Sequence, residues 1–327
     1  YYGAPDADRV VVVMGSAGGT LRQVVDALNS SGQRIGVLQV RLYRPFPAEQ
    51  LVAALPPTVR RVAVLDRTKE PGSNGEPLFA DTLMALVEHA DHFEAGLPVV
   101  TGGRYGIGSK EFTPAMAKAV YDDLASPTPR SRFTVGIVDD VTHLSLPVDT
   151  GFRPADNGLS AIFFGLGSDG TVGASKNSVK IIAGEPGRYA QGYFVYDSRK
   201  SGATTVSHLR FGDAPIDAAY LLEEADFVAV HQFELLDKMP TLDLAKAGAT
   251  VLINSPYGAD SWAHLPVEVQ QIIIDRKLDL WVIDAATIAR KSGLGQRINT
   301  VMQPCYFYLS GVVAQQEAIP RIKASIE

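Results

Sequence analysis

The run Gly165-Leu-Gly167-Ser168-Asp-Gly170 has the composition of an anion-binding turn. Glycines permit a tight turn and a close approach of the backbone to a ligand. The helix that follows such a turn presents unbonded N–H groups to a phosphate. Here the run follows a predicted strand, 160–165, and opens a predicted helix, 171–183, which is the context this chemistry needs. Lys176, further along that helix, adds a positive charge. A second cluster, Asp197-Ser-Arg199-Lys200-Ser-Gly202, follows another predicted strand. Asp197 stands near the place of the acid that holds a ribose in an NAD site. Arg199 and the Lys200-Ser-Gly turn suit a phosphate better than a bare ribose. A third cluster runs from Arg290-Lys291 through Gly293 and Gly295 to Arg297. All three follow predicted strands, and parallel sheets bind ligands beyond the carboxyl ends of their strands. The bland alternatives are turns that need glycine only for packing, and solvated surface charge.

Other chemistries find little support. The histidines at 89, 92, 143, 208, 231 and 264 show no ligand spacing with a carboxylate or thiol, so no metal site is expected. His208 could hydrogen-bond a ligand or only a neighbouring loop. Neither a G-x-S-x-G elbow nor a Walker A run occurs. The single cysteine, Cys305, lies in the apolar stretch Met302-Gln-Pro-Cys-Tyr-Phe and reads as a buried, inert thiol. One cysteine excludes a disulfide framework and a cluster with four cysteine ligands from this chain. A net charge of −6 leaves no global positive field for a nucleic-acid backbone. No apolar run approaches the roughly 20 residues of a membrane span, and no signal peptide is evident. A reducing cytosol fits this cysteine usage. The opening Tyr1-Tyr2-Gly3, without an initiator Met, suggests a processed chain or a piece of something longer.

The elements that would position these clusters form two alternating series. The length of 327 residues suggests about two domains. In the first half, strands are predicted at 9–15, 34–40, 61–66 and 98–102, with helices at 21–28, 48–55, 78–89 and 114–124; Thr20 is the expected cap of the first. Such repetition implies a parallel sheet covered on both faces. The loops 67–77 and 104–111 are charged and could face a partner domain. The rhythm breaks over 125–158, apart from a short strand at 133–137. It restarts with strands at 160–165, 192–197, 206–211, 227–231, 249–254 and 278–283. Helices are predicted at 171–183, 217–225, 235–238, 242–247, 267–277 and 284–291, and in two pieces over 300–325.

Several stretches together resemble the pyruvate:ferredoxin (flavodoxin) oxidoreductase family. The carriers are Arg67-Thr-Lys-Glu-Pro-Gly-Ser-Asn-Gly-Glu-Pro77, Gly102-Gly-Arg-Tyr-Gly106, Ser109-Lys-Glu-Phe-Thr-Pro114 and Asp139-Asp-Val-Thr-His143. Further on come Gly165-Leu-Gly-Ser-Asp-Gly-Thr-Val-Gly173, Lys176-Asn-Ser178, Gln191-Gly-Tyr-Phe-Val-Tyr-Asp197, Ser207-His-Leu-Arg-Phe-Gly212 and Ile298-Asn-Thr-Val-Met-Gln303. The resemblance spans essentially the whole chain, but only the second and third domains of the far longer one-chain form. It implies two successive α/β domains with doubly wound, mainly parallel sheets. Residues 1–130 would be transketolase C-terminal-like, 131–158 a linker, and 159–327 like the separate gamma subunit of multi-subunit relatives.

The family decarboxylates pyruvate on thiamine diphosphate, passes electrons through [4Fe–4S] clusters to ferredoxin or flavodoxin, and makes acetyl-CoA. The resemblance places the thiamine sites and the clusters in other domains, so no catalytic residue is expected here. It implies coenzyme A binding by Gly165, Gly167, Ser168, Gly170, Thr171, Gly173, Lys176, Asn177, Lys200, Arg297 and Asn299. The implied partners are the remaining domains of the enzyme, a second copy in a homodimer, and ferredoxin or flavodoxin, all in the cytoplasm. Another 2-oxoacid as substrate, or a sulfite-reductase-type subunit that has borrowed these domains, stays open. The rival reading is a free-standing NADP dehydrogenase with Arg199 and Lys200 on the 2′-phosphate; the lack of an evident hydride-transfer acid/base pair counts against it.

Overall fold

Four consecutive valines, Val10–Val13, are wholly shielded from solvent, as expected of a central parallel strand covered on both faces. They belong to the first of two units in a computed structural model, which describes every residue except 140, 156–157, 198–202 and 327, and every side chain of the rest except 315, 325 and 326. The first unit comprises Tyr1–Ala155 with Asp217–Tyr220, and the second Asp156–Ile216 with Leu221–Glu327.

The first unit contains β1 (Tyr2–Gly3), β2 (Arg9–Met14), α1 (Ala17–Ser30), β3 (Ile35–Val40), α2 (Ala48–Ala53), β4 (Arg61–Asp66), α3 (Pro77–Glu88), β5 (Val99–Arg104), α4 (Pro114–Ala125) and β6 (Arg132–Thr134). The sheet order is β1-β3-β2-β4-β5-β6, parallel throughout except for the short β1. Alternate residues of β2 serve two cores. Val11 and Val13 pack with α1 and α4, Val10 and Val12 with α2 and α3.

Helix α1 begins earlier than its sequence suggests, at Ala17, and Thr20 is a buried interior residue rather than its cap. The reason is packing: a Cβ on Gly18 would meet the Gln39 side chain at 2.6 Å, so the glycine lets the first turn settle against β3. Helix α3 is capped by a residue distant in sequence. Both carboxylate oxygens of buried Asp66 accept amides, from Leu78 at 2.9 Å and Phe79 at 3.0 Å. The charged loops knit to one another within this unit: Arg67 Nε donates to the Gly106 carbonyl at 3.1 Å, and Arg104 pairs with Glu76 at 3.7 Å. Of the segment read from sequence as linker, 131–158, residues 131–155 fall in this unit and contribute β6 and a turn pinned by Asp139. That carboxylate accepts the amides of Val141, Thr142 and Leu144 and the Thr142 hydroxyl, bonds that hold it well below the usual carboxylate range.

The second unit contains β7 (Leu159–Leu166), α5 (Thr171–Ala183), β8 (Tyr189–Tyr196), β9 (Thr204–Gly212), β10 (Ala225–Val230), α6 (Leu235–Lys238), β11 (Ala245–Asn254), α7 (Ser261–His264), α8 (Val267–Asp275), β12 (Asp279–Ile283), α9 (Ala285–Lys291), α10 (Asn299–Ser310) and α11 (Gln315–Ile326). The order is β12-β11-β10-β7-β9-β8. Strands β7, β10, β11 and β12 run parallel, whereas β9 is antiparallel to both its neighbours, so this sheet is mixed.

Two expected helices are absent. Residues 217–224 are irregular with Ala225 already in β10, and Ala245 begins β11, paired in parallel with Ala225. Leu222 and Leu242 are buried core residues, and packing overrides the helix propensity of these short Ala/Leu runs. Arg276 Nη1 takes up the carbonyls of Asp243 and Ala245, at 2.6 and 2.7 Å, and holds this stretch in its non-helical course. Among the described residues, no helix is long and apolar enough to cross a membrane.

Candidate functional site

The loop 165–170 leaves the carboxyl end of β7, the middle of the sheet, and enters α5. It needs its glycines. Gly170 has φ +85°, and a Cβ there would meet the side-chain amide of Asn299 at 2.7–2.9 Å. A Cβ on Gly165 would run into the Thr171 side chain. Ser168 adopts φ +75°, a left-handed conformation uncommon outside glycine. The Gly167 amide donates to the Ala203 carbonyl at 2.7 Å, so the strand-return segment after 198–202 reaches this loop.

Asp169 is the loop's internal anchor. Its Oδ1 accepts the Thr171 amide at 2.8 Å, and its Oδ2 accepts the Leu166 amide at 2.8 Å and Gln232 Nε2 at 3.2 Å. A carboxylate therefore already satisfies the first amide of α5. The first internal α5 bond runs from the Ala174 amide to the Gly170 carbonyl at 3.0 Å. The amides of Val172 and Gly173 precede that bond and have no helical partner. Gly173 is exposed, with no heavy atom within 4 Å of a notional Cβ.

Beneath the loop, Thr171 Oγ1 and His231 Nδ1 share a buried hydrogen bond of 2.8 Å. Burial pushes the His231 imidazole down to about 4, against the opposing pull of the Asp169 charge, so it is neutral at ordinary pH. Helix α10 docks on α5 through Gln303, whose Nε2 donates to the Ala174 carbonyl at 3.2 Å and to Ser178 Oγ at 3.0 Å.

The structure thus brings Gly165, Gly167, Ser168, Gly170, Thr171, Gly173 and Asn299 together at one rim. Arg297 is exposed, two residues before Asn299, and has no ion-pair partner among the described residues. Lys176 is directed to β8 instead, its ammonium 5.2 Å from the Phe194 ring centroid. Asn177 is half-buried in α5. Lys200 and Arg199 lie outside the described residues. His208 lies in mid-strand, paired with Ile162, buried and away from the strand ends; its imidazole is pushed down to about 4 by burial and by Arg210. Half-buried Cys305 has its thiol pushed up by burial. The described residues hold no cluster of three or more metal-ligating groups. Asp169, His231, Gln232 and Asn254 were not singled out from sequence; the available signal was that His231 and Asn254 close predicted strands, where ligand sites of α/β sheets form.

This loop and both helices packed on it fall within residues 160–326, which match the family model described as pyruvate ferredoxin/flavodoxin oxidoreductase. The chain belongs to this family. Residues 7–112 match a second model of the pyruvate:ferredoxin oxidoreductases, core domain II. The chain is 57% identical over its whole length to a pyruvate-flavodoxin oxidoreductase of Rhodospirillum rubrum. It is 49% identical to a pyruvate:ferredoxin oxidoreductase of Moorella thermoacetica, again over 100% of its length. In both cases it spans only 28% of the relative's own length. Among solved structures, the pyruvate oxidoreductase subunit PORC of Thermotoga maritima matches 52% of this chain and 85% of its own, at 22% identity and TM-score 0.40.

For a member of this oxidoreductase family, the site is notable for what its residues supply. Helix amides with no partner among the described residues, an exposed guanidinium and a side-chain amide suit an anionic ligand. One cysteine in the whole chain cannot ligate a [4Fe–4S] cluster.

Proposed function

We propose that this chain is the coenzyme A-binding and scaffolding part of a pyruvate:ferredoxin/flavodoxin oxidoreductase. In the whole enzyme, pyruvate and coenzyme A become acetyl-CoA and CO2, and the two electrons released pass to ferredoxin or flavodoxin. Thiamine diphosphate and the [4Fe–4S] clusters belong to other domains in this reading, which are also this chain's partners in a cytoplasmic homodimer. Residues 1–130 take the transketolase C-terminal-like role and 159–327 the gamma-subunit-like role.

The observation that carries the reading is the glycine loop with its open Val172 and Gly173 amides beside Asn299 and Arg297. Helix amides and a guanidinium fork complement the phosphates of coenzyme A. Asp169 restrains the affinity, because its charge lies within the same turn, so binding by this chain alone is weak. Lys200, between Asp197 and Ala203, adds a point charge in this reading. Of the residues flanking 198–202, Ala203 accepts the Gly167 amide of the loop at 2.7 Å, while Asp197 N donates to Thr204 O at 3.1 Å between the ends of β8 and β9.

Calorimetric titration tests this. Losing one charge-assisted contact costs about 1.5–3 kcal/mol, or roughly 10- to 150-fold in affinity. Lys200→Ala and Arg297→Ala are each expected to weaken coenzyme A binding at least roughly tenfold. Equal affinity in wild type and both variants would remove the two residues from the site.

A further inference from the structure

The hydrogen bond between Thr171 and His231 belongs to a larger arrangement. His231 stands immediately beyond β10, and only 2% of its surface is exposed. Its backbone is bonded on both sides. The amide donates to the Phe164 carbonyl of β7 at 2.9 Å, and the carbonyl accepts from Asn254 Nδ2 at 2.9 Å. Asn254 Oδ1 in turn accepts the Ala285 amide at 3.0 Å, at the start of α9. The next residue, Gln232, bonds Asp169 inside the loop. Residues 231–232 therefore tie the ends of three parallel strands to the first turns of two helices. The imidazole reaches the side chain of Thr171, the first residue of α5, and Phe163 meets it edge-on at 6.1 Å between centroids. The Thr171 side chain also fills the space in front of Gly165. If Thr171 turns away, the glycine loop loses its floor.

We infer that His231 is a positioning residue of the glycine loop: through its bond to Thr171 it fixes the first turn of α5, and so the direction of the Val172 and Gly173 amides toward the ligand. It touches no ligand itself. The inference rests on the coenzyme A reading only for what the amides meet; the clamp can be measured without any ligand.

The experiment uses this chain with four substitutions. His231→Leu and Thr171→Val remove the bond while keeping bulk. His231→Asn and Thr171→Ser keep a polar atom at the place of Nδ1 or Oγ1. Hydrogen exchange is read at the Thr171 and Ala174 amides, which are bonded to Asp169 and Gly170. Exchange there is expected to quicken about tenfold in His231→Leu and in Thr171→Val, with no further gain in the double variant, and to stay near wild type in His231→Asn and Thr171→Ser. In parallel, the two disruptive variants are expected to lose roughly three- to tenfold in coenzyme A affinity. Unchanged exchange in Thr171→Val, or effects of the two disruptive changes that simply add, overturns the proposal whether or not coenzyme A binds. The expected exchange pattern in a wild-type chain that fails to bind coenzyme A supports the clamp and overturns the ligand reading instead.

Discussion

Gly173→Ala separates the stability of α5 from its use as an anion site, because the two should move in opposite directions. Gly173 is the third residue of the helix, exposed, with open space where a Cβ would stand. Alanine in a helix is favoured over glycine by about 0.5–1 kcal/mol, chiefly because the unfolded chain has less freedom to lose. In a unit of this size that corresponds to a rise of roughly 1–4 °C in melting temperature. The new Cβ, however, tilts toward the helix N-terminus, into the space a phosphate must enter to reach the Val172 and Gly173 amides at about 2.9 Å. Displacing one such contact costs about 1.5–3 kcal/mol, or roughly 10- to 150-fold in affinity. The assay is differential scanning calorimetry of the free chain beside a coenzyme A titration of the same preparation. A stabilised variant that binds as wild type does would refute the placement of the ligand over these amides. A destabilised variant would refute the claim that the space there is open.

Three further outcomes are expected. Gly170→Ala must place a side chain at φ +85° against Asn299, which costs about 1–2 kcal/mol in backbone strain alone; chemical denaturation measures it, and a neutral result would contradict the loop geometry. His208 and His231 are held near pKa 4 when folded, against about 6.5 unfolded. Between those values the unfolded chain binds protons that the folded chain does not, so stability is complete above about pH 6.5 and falls on acidification, by about 2 kcal/mol per histidine between pH 7 and 5. Urea midpoints at the two pH values test this, and a flat profile would speak against the burial of both imidazoles. In the first unit, Tyr121 is wholly buried with its hydroxyl donating to the Gly36 carbonyl at 2.9 Å; Tyr121→Phe is expected to destabilise by about 1–3 kcal/mol, read as a lowered urea midpoint with unchanged coenzyme A affinity.

The strand–helix alternation was legible because its signals are local. Arg61–Asp66 is built around the buried apolar run Val62–Leu65, and Thr171–Ala183 starts at a glycine turn and ends at Gly184, so both appear with the bounds read from sequence. Partner choice is not local. Nothing in the pattern of 204–212 says that it runs antiparallel beside β7, and the propensity of 217–225 and 242–247 points to helix until the buried leucines and Arg276 are seen in place. The same division holds at the site. The 165–170 turn declares itself by composition and context. Asn299, named through the family resemblance, meets Gly170 across 129 residues of sequence, a contact that only the fold creates. Asp169 has no assigned role in the sequence pattern, yet it takes the first helix amide. Lys176 had the right charge and the right helix, but its side chain leans on Phe194.

Whether the second unit grips coenzyme A at the 165–170 loop is decided by a paired titration. Coenzyme A and NADP are titrated calorimetrically into wild type, Arg297→Ala and Lys200→Ala at low and raised salt. Coenzyme A is expected to bind weakly to wild type, more weakly still to both variants and at higher salt, with NADP the poorer ligand throughout. Tighter binding of NADP than of coenzyme A, or coenzyme A affinity that ignores both substitutions, would contradict this expectation.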